Sequence, residues 1–394
     1  MNIALLEPFM TGSHAAWAQG YAAHSQHKVE IFNLEGKHWK WRMHGGAVTL
    51  ARQFLASGFR PDLILATDML DLTTFLALTR PVTAHIPCVV YFHENQLSYP
   101  WSPDDADPAL QRDAHYCFIN FTTALAADRV YFNSAYHQRD FLAQLPPFLR
   151  SFPDYTGVDL VEAIAQKSVT LPLGLDLAAL DSQRGKGADT DVSAPVRSKI
   201  PLILWNHRWE YDKNPAEFFR ALFALQEQGV EFNLAVLGEV YRRQPPIFAE
   251  ARKRLDAHIV HWGYVENYAE YGAWLWRADI LPVTSVHDFF GISVVEALYC
   301  GCYPLLPHRL AYPEHVPEEL HAQCFYTDFD DLVRRLARVC NSHPVASASE
   351  IRHHVAAYAW EQMAPKYDDL FGCVIKDQSL RLEIELEQNS ACMF

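Results

Sequence analysis

The stretch Asp279-Ile280-Leu281-Pro282-Val283-Thr284-Ser285-Val286-His287-Asp288-Phe289-Phe290-Gly291-Ile292-Ser293-Val294-Val295-Glu296-Ala297 reads as a buried strand, a loop and a helix start. The apolar run ends near Val283, and Gly291 precedes a helix beginning around Ile292. A helix start offers free N–H groups and the positive end of its dipole, and both suit a phosphate. Asp288 and Glu296 stand eight apart, spanning the loop and the first helical turns. That spacing lets one carboxylate meet a sugar while the other meets ribose hydroxyls. Helix capping alone would also place a carboxylate there.

Further short apolar runs surround this one. Ile3–Leu6, Lys28–Phe32, Leu63–Ala66, Cys88–Phe92 and Arg129–Phe132 form one set of predicted strands, and Leu202–Trp205, Asn233–Leu237, Ile259–Trp262 and Ile280–Val283 a second. Continuous apolar strands alternating with amphipathic segments imply parallel sheets covered on both faces. Two doubly wound α/β domains follow, with ligands expected at the carboxyl ends of the strands, in a cleft between the domains. The domains are predicted at 1–180 and 200–355, joined by a polar, glycine-containing linker over 181–199. Residues 356–394 are expected to be a helix and tail that pack back on the first domain.

The chain has 394 residues and a formal charge of −14, a balance that counts against bulk electrostatic binding of nucleic acid but permits a local basic patch. The eight cysteines include no C-x-x-C pair, which favours reduced, buried thiols. The first residues do not read as a signal peptide and no apolar run is long enough for a membrane helix, so a cytoplasmic location without membrane contact is expected.

Three other stretches offer chemistry. Glu7-Pro8-Phe9-Met10-Thr11-Gly12-Ser13-His14 follows the first strand, and its glycine permits either close approach to a ligand or an ordinary tight turn. It is not a G-x-G-x-x-G dinucleotide motif. Leu202-Ile203-Leu204-Trp205-Asn206-His207-Arg208-Trp209-Glu210-Tyr211-Asp212-Lys213 puts Arg208 and Lys213 beyond a strand end, where they suit a diphosphate or, more simply, surface ion pairs. Trp39, Lys40, Trp41 and Arg42 interleave aromatics with cations, as suits unpaired bases beside phosphates; a loop closing over a ligand has the same composition. His93 follows a buried strand, and Glu94, Asn95 and Gln96 beside it can hydrogen-bond hydroxyl groups.

The Asp288–Glu296 string resembles the acidic-x7-acidic motif of retaining glycosyltransferases of the GT-B fold, which consists of two Rossmann-like domains facing a central cleft. The first position of that motif is usually Glu, and here it is Asp. By this resemblance Arg208 and Lys213 hold the donor diphosphate, Glu296 the ribose and Asp288 the sugar. Gly12, Ser13, Phe290, Gly291, Ile292 and Ser293 line the donor, Tyr264 and Val265 its base, and His93 the donor sugar. No catalytic metal or cofactor is implied.

The strings His38-Trp39-Lys40-Trp41-Arg42-Met43-His44-Gly45-Gly46-Ala47, Ala66-Thr67-Asp68-Met69-Leu70-Asp71-Leu72 and Val90-Tyr91-Phe92-His93-Glu94-Asn95-Gln96-Leu97-Ser98-Tyr99-Pro100-Trp101 add a narrower resemblance. With Glu7–His14 they are similar to the tRNA-queuosine alpha-mannosyltransferases, over about residues 2 to 370 with gaps. The resemblance implies transfer of mannose from GDP-mannose to the cyclopentene diol of queuosine in a tRNA, with retention by front-face attack. Trp39, Lys40, Trp41, Arg42, Glu94, Asn95 and Gln96 would then meet the acceptor RNA; no protein partner is implied. The alternatives are a GT-B transferase with a lipid, polysaccharide or small-molecule acceptor, a sugar-nucleotide epimerase, and a non-catalytic RNA-binding module.

Two decoys are set aside. Asp104-Asp105-Ala106-Asp107 looks like a metal-binding acidic motif but follows no nucleotide-binding strand, and Arg334, Arg335 and Arg338 read as a solvated helix face.

Overall fold

In the computed structural model, the structure describes residues 1–102, 105–110, 114–184, 200–239, 244–342 and 348–391, with side chains to 377. It divides into two compact units, Met1–Leu175 with Trp360–Phe394, and Asp176–Ala359.

The first unit is built on six parallel strands: β1 (Asn2–Met10), β2 (Lys28–Glu35), β3 (Leu63–Thr67), β4 (Cys88–Phe92), β5 (Arg129–Phe132) and β6 (Ser168–Thr170), in the order β2-β1-β3-β4-β5-β6. Side chains alternate across a strand, so each buried strand feeds two cores. Ala4, Leu6, Ile64, Ala66, Val90, Phe92 and Phe132 pack with Phe54, Phe75 and Phe141 on one face. On the other, Tyr91 stacks on Trp17 and Tyr367, and Tyr131 meets Phe371.

Tyr367 and Phe371 belong to the last helix, Trp360–Ala391, which lies on this unit. Its Asp368 accepts hydrogen bonds from Tyr21 Oη at 2.9 Å, Ser25 Oγ at 2.6 Å and the Gln26 amide at 2.8 Å. Trp360 lies between Gly20 and Gly174, where an added Cβ would come within 2.2 Å of the indole at either position. Residues 378–391 continue this helix, and 392–394 lie outside the described residues.

The second unit repeats the architecture with β7 (Leu202–Trp205), β8 (Asn233–Val236), β9 (Ile259–Trp262), β10 (Ile280–Pro282), β11 (Tyr303–Pro307) and β12 (Phe325–Tyr326), again all parallel, in the order β12-β11-β10-β7-β8-β9. The chain runs outward from β7 to β9, then from β10 to β12 on the other side. The order therefore reverses between β7 and β10, and in the first unit between β1 and β3. The loops above such reversals are where open α/β sheets bind ligands.

All nine predicted strands are present. The sequence reading omitted β6, β11 and β12. Pro304 and Pro307 disguise β11, and β6 and β12 are edge strands of three and two residues.

The unit boundary also differs from the one expected. The Leu177–Asp181 helix packs on the Tyr268–Arg277 and Ile292–Tyr299 helices, and Asp181 binds Tyr299 Oη at 2.6 Å and Arg352 at 2.6 Å. Residues 176–181 thus belong to the second unit rather than to the first domain or the linker. The second unit runs on to Ala359 because a short helical turn, Ala356–Tyr358, packs on the Ala348–Val355 helix. The rest of the expected linker, 185–199, lies outside the described residues.

Among the described residues the cysteines form no disulfide, and six of the seven are buried. No described helix is long and apolar enough to cross a membrane. Trp360→Ala is expected to lower unfolding stability by about 3–5 kcal/mol, read by urea denaturation, because its slot is walled by backbone and cannot collapse; Gly174→Ala should do comparable harm.

Candidate active site

In the second unit the loops after β7 and β10 meet. The Lys213 side chain is buried, with its Nζ 2.9 Å from Asp288 Oδ1, 2.9 Å from the His287 carbonyl and 2.9 Å from Asp212 Oδ2. A buried ammonium must be paired to stay charged. Burial would lower the Lys213 pKa, and Asp288 and Asp212 outweigh it and raise it. Asp288 accepts a hydrogen bond from Tyr312 Oη on its other oxygen. Burial would raise the Asp288 pKa, but Lys213 and the hydrogen bonds hold it down at about 2. Lys213 and Asp288 thus clamp the loop between β10 and the next helix, rather than presenting two free groups. Arg208 is exposed and pairs with Glu210 at 3.1 Å.

Other contacts fix the same loop. His315 Nε2 meets the Phe290 carbonyl at 2.6 Å, and Asn206 Nδ2 donates to the Ser293 carbonyl at 2.7 Å. The Ser293 hydroxyl lies 3.0 Å from His207 Nδ1. Gly291 caps the helix at φ +87°, a left-handed conformation that glycine alone adopts freely. The helix Ile292–Tyr299 therefore starts, with its first amides, at the end of the loop that follows β10. Glu296 on that helix accepts hydrogen bonds from Tyr271 Oη at 2.8 Å and Tyr268 Oη at 3.1 Å. Burial nevertheless pushes its carboxyl up to about 7. Tyr264 is exposed and Val265 half-buried beyond Gly263, at the end of edge strand β9, three places from β10 in the sheet.

In the first unit a second polar cluster sits above the β1–β3 reversal. Glu7 is fully buried on β1 and accepts from His14 Nδ1 at 3.0 Å and from the Phe9 amide at 2.8 Å. Burial would lower the His14 pKa, and Glu7 overrides that and lifts it to about 9. The His93 ring lies 4.3 Å from the His14 ring, centroid to centroid, and burial beside this cation pushes its pKa well down. The neighbours are therefore one imidazolium and one neutral imidazole.

Asp68 accepts from the His93 amide at 2.8 Å, while Asp68 Oδ2 and His93 Nε2 are buried without hydrogen-bond partners among the described residues. Gly12 and Ser13 are exposed at the start of the Gly12–His24 helix. Asn95 and Gln96 are buried and shape their own loop: Asn95 Oδ1 accepts from the Leu97 and Ser98 amides, and the Gln96 side chain donates to Glu94.

The basic-aromatic string is not the open patch its composition suggested. Trp39 packs against Tyr116 and Trp101 at 5.0 and 5.9 Å. Lys40 is held by Asp105 at 2.8 Å and by Asp107, so two residues of the acidic decoy are its counter-charges; Asp104 lies outside the described residues. Arg42 Nε donates to the Glu35 carbonyl at 3.0 Å, and Trp41 is 64% exposed. Arg334 and Arg335 pair with Asp331 at 2.6 and 2.8 Å, as a helix surface does.

Sequence reasoning assigned no role to Glu7, His14, Asp68, Asn206, His207, Tyr268, Tyr271, Tyr312 or His315. The first five stand inside strings already singled out, while the last four come from elsewhere in the chain and carry no local signal.

Two six-stranded parallel sheets of this kind are the architecture of the GT-B glycosyltransferases, and the family match and fold likeness that follow place the chain in that class. Residues 190–360 match the family of glycosyl transferases group 1. The fold is similar to that of sucrose-phosphate synthase from Thermosynechococcus elongatus, with TM-score 0.67, 14% identity, and coverage of 96% of this chain and 100% of that one. It is also similar to Anabaena HepE in complex with UDP and glucose, with TM-score 0.62, 14% identity, and coverage of 95% and 99%.

Residues 2–175 match the tRNA-queuosine alpha-mannosyltransferase N-terminal family. The tRNA-queuosine alpha-mannosyltransferase of Drosophila melanogaster is 32% identical over 384 residues, 96% of this chain and 98% of that protein. The chain belongs to the tRNA-queuosine alpha-mannosyltransferase family. A GDP-mannose-dependent alpha-(1-6)-phosphatidylinositol dimannoside mannosyltransferase of Mycobacterium tuberculosis is 27% identical over 151 residues, 38% of each chain.

Two pH dependences follow. His14 has its pKa raised from 6.5 to about 9 in the folded state, so its pairing with Glu7 stabilises fully below pH 6.5 and is lost as pH rises through about 9. Glu7→Gln should cost about 3 kcal/mol near pH 6 and progressively less toward pH 9.5; an equal cost at every pH contradicts the pairing. Glu296 is raised from 4.5 to about 7, so its protonation favours the fold below pH 4.5 and that gain is lost as pH rises through 7. Glu296→Gln should melt higher than wild type at pH 8 and no higher at pH 4.5.

Proposed function

We propose that the protein transfers mannose from GDP-mannose to the cyclopentene diol of queuosine in a tRNA, with retention at the anomeric carbon. The observation that carries this is the split in the comparisons. The second unit matches sugar transferases in general, whereas the first matches a domain particular to the queuosine family. What differs between transferases sharing a donor site is the acceptor, so the first unit supplies acceptor choice. The GDP-mannose dependence of the mycobacterial relative supports the donor.

The residues then take these roles. Arg208 forks the departing diphosphate, Lys213 adds a fixed charge beside it, and the helix after Gly291 turns its free amides toward it. Glu296, ionised above pH 7, accepts from the ribose hydroxyls, and Asp288 orients the loop that faces the sugar. His93, held neutral, contacts the donor sugar. As the C1–O bond to GDP breaks through an oxocarbenium-like state, the acceptor oxygen bonds to C1 from the same face. Its proton passes to a phosphate oxygen of the departing GDP. These cations and amides do the work a metal does elsewhere, and no catalytic metal is invoked.

Radiolabel transfer tests the reading. Label from GDP-mannose should appear in queuosine-containing tRNA and not in queuosine-free tRNA, and UDP-sugars should give none. Equal labelling of both tRNAs, or transfer from UDP-sugars alone, contradicts it.

A further inference from the structure

The first unit carries exposed aromatic rings on its surface. Tyr155 is 99% exposed, on a loop residue held at φ +44°, and Phe118 is 44% exposed. A tyrosine held in the left-handed region carries backbone strain, and such strain concentrates at functional positions. With His115 and Phe152 these rings line a depression of about 610 Å³, within the about 300–1,000 Å³ range of small-ligand sites. Phe118 and Phe152 meet edge to face at 6.0 Å and form its wall. The His115 ring lies 4.9 Å from that of His44. His44 adjoins Gly45, and the Trp41 ring lies over Gly45 so closely that a Cβ there would come within 2.5 Å of it. One strip therefore runs from Trp41 through the two imidazoles to Tyr155.

We propose that this strip binds unpaired bases of the acceptor RNA by stacking, with the depression at Phe118 and Tyr155 taking one flipped-out nucleobase. The inference rests on the RNA acceptor of the proposed function. Aromatic faces interleaved with imidazoles match the π-face and hydrogen-bonding edge of a nucleobase. Charge points the same way. The chain carries −14, Lys40 is neutralised by Asp105 and Asp107, and Arg42 donates to a backbone carbonyl. Phosphate attraction is thus a weak source of affinity here, and RNA binding has to draw on base stacking. The strip also lies wholly within residues 2–175, the part of the chain particular to the family.

The test compares wild type with Tyr155→Ala, Phe118→Ala and the double variant. The expected result is that each single change raises KM and Kd for queuosine-containing tRNA about 5- to 100-fold, the range of a lost base stack. The kcat at saturating tRNA and the Kd for GDP should stay at wild-type values. The loss should persist at raised salt, as stacking does and phosphate contacts do not. An unchanged KM for tRNA in a wild-type-active background overturns the inference and leaves the acceptor reading standing. Sedimentation showing that wild type self-associates and the double variant does not also overturns it, because the strip then joins two copies. Failure of wild type to label any tRNA overturns the acceptor reading and this inference with it.

Discussion

The second unit is organised around one buried charge. Lys213 is buried, so two carboxylates and a backbone carbonyl have to come to its ammonium. Asp212 is its chain neighbour. Asp288 and the His287 carbonyl come from the loop after β10, and the pairing therefore ties the two loops above the strand reversal. Tyr312, His315, Asn206 and His207 secure the same loop from other directions. The start of the helix at Ile292 directly follows the loop that this clamp holds. A site that must stabilise charge as it develops gains from donors that need not reorganise.

The first unit applies a related device for a different end. Glu7 on β1 fixes His14 as an imidazolium, while burial, helped by that cation, keeps His93 neutral. One buried carboxylate thus sets the protonation of one ring above the β1–β3 reversal, and burial sets that of its neighbour. The buried Oδ2 of Asp68, without a partner among the described residues, lies in the same neighbourhood. Unsatisfied buried polar atoms are costly, and they gather where a protein meets ligands rather than where it only packs.

The fold was legible because parallel strands buried on both faces leave uninterrupted apolar runs, as in Leu63–Thr67 and Cys88–Phe92. Where that signal is weak, the reading failed: prolines broke up β11, and the edge strands are too short to show a period. The strings around Arg208, Lys213, Asp288 and Glu296 stood out because charged residues follow directly on apolar strand runs there. Their partners were hidden. Tyr312 and His315 reach the loop from the short helical turn that follows β11, and nothing local marks them. The Lys40 string misled for a similar reason, since its counter-charges stand 65 and 67 residues away. Charge density along a chain says nothing of pairing across it.

The most direct test of the clamp is a calorimetric titration of GDP, in EDTA, into wild-type protein and Lys213→Met protein of matched circular dichroism. The account predicts saturable binding to wild type without any divalent ion, weakened about tenfold or more by the substitution, as loss of a charge-assisted contact entails. Equal affinities, or wild-type binding that appears only with added metal, would contradict it.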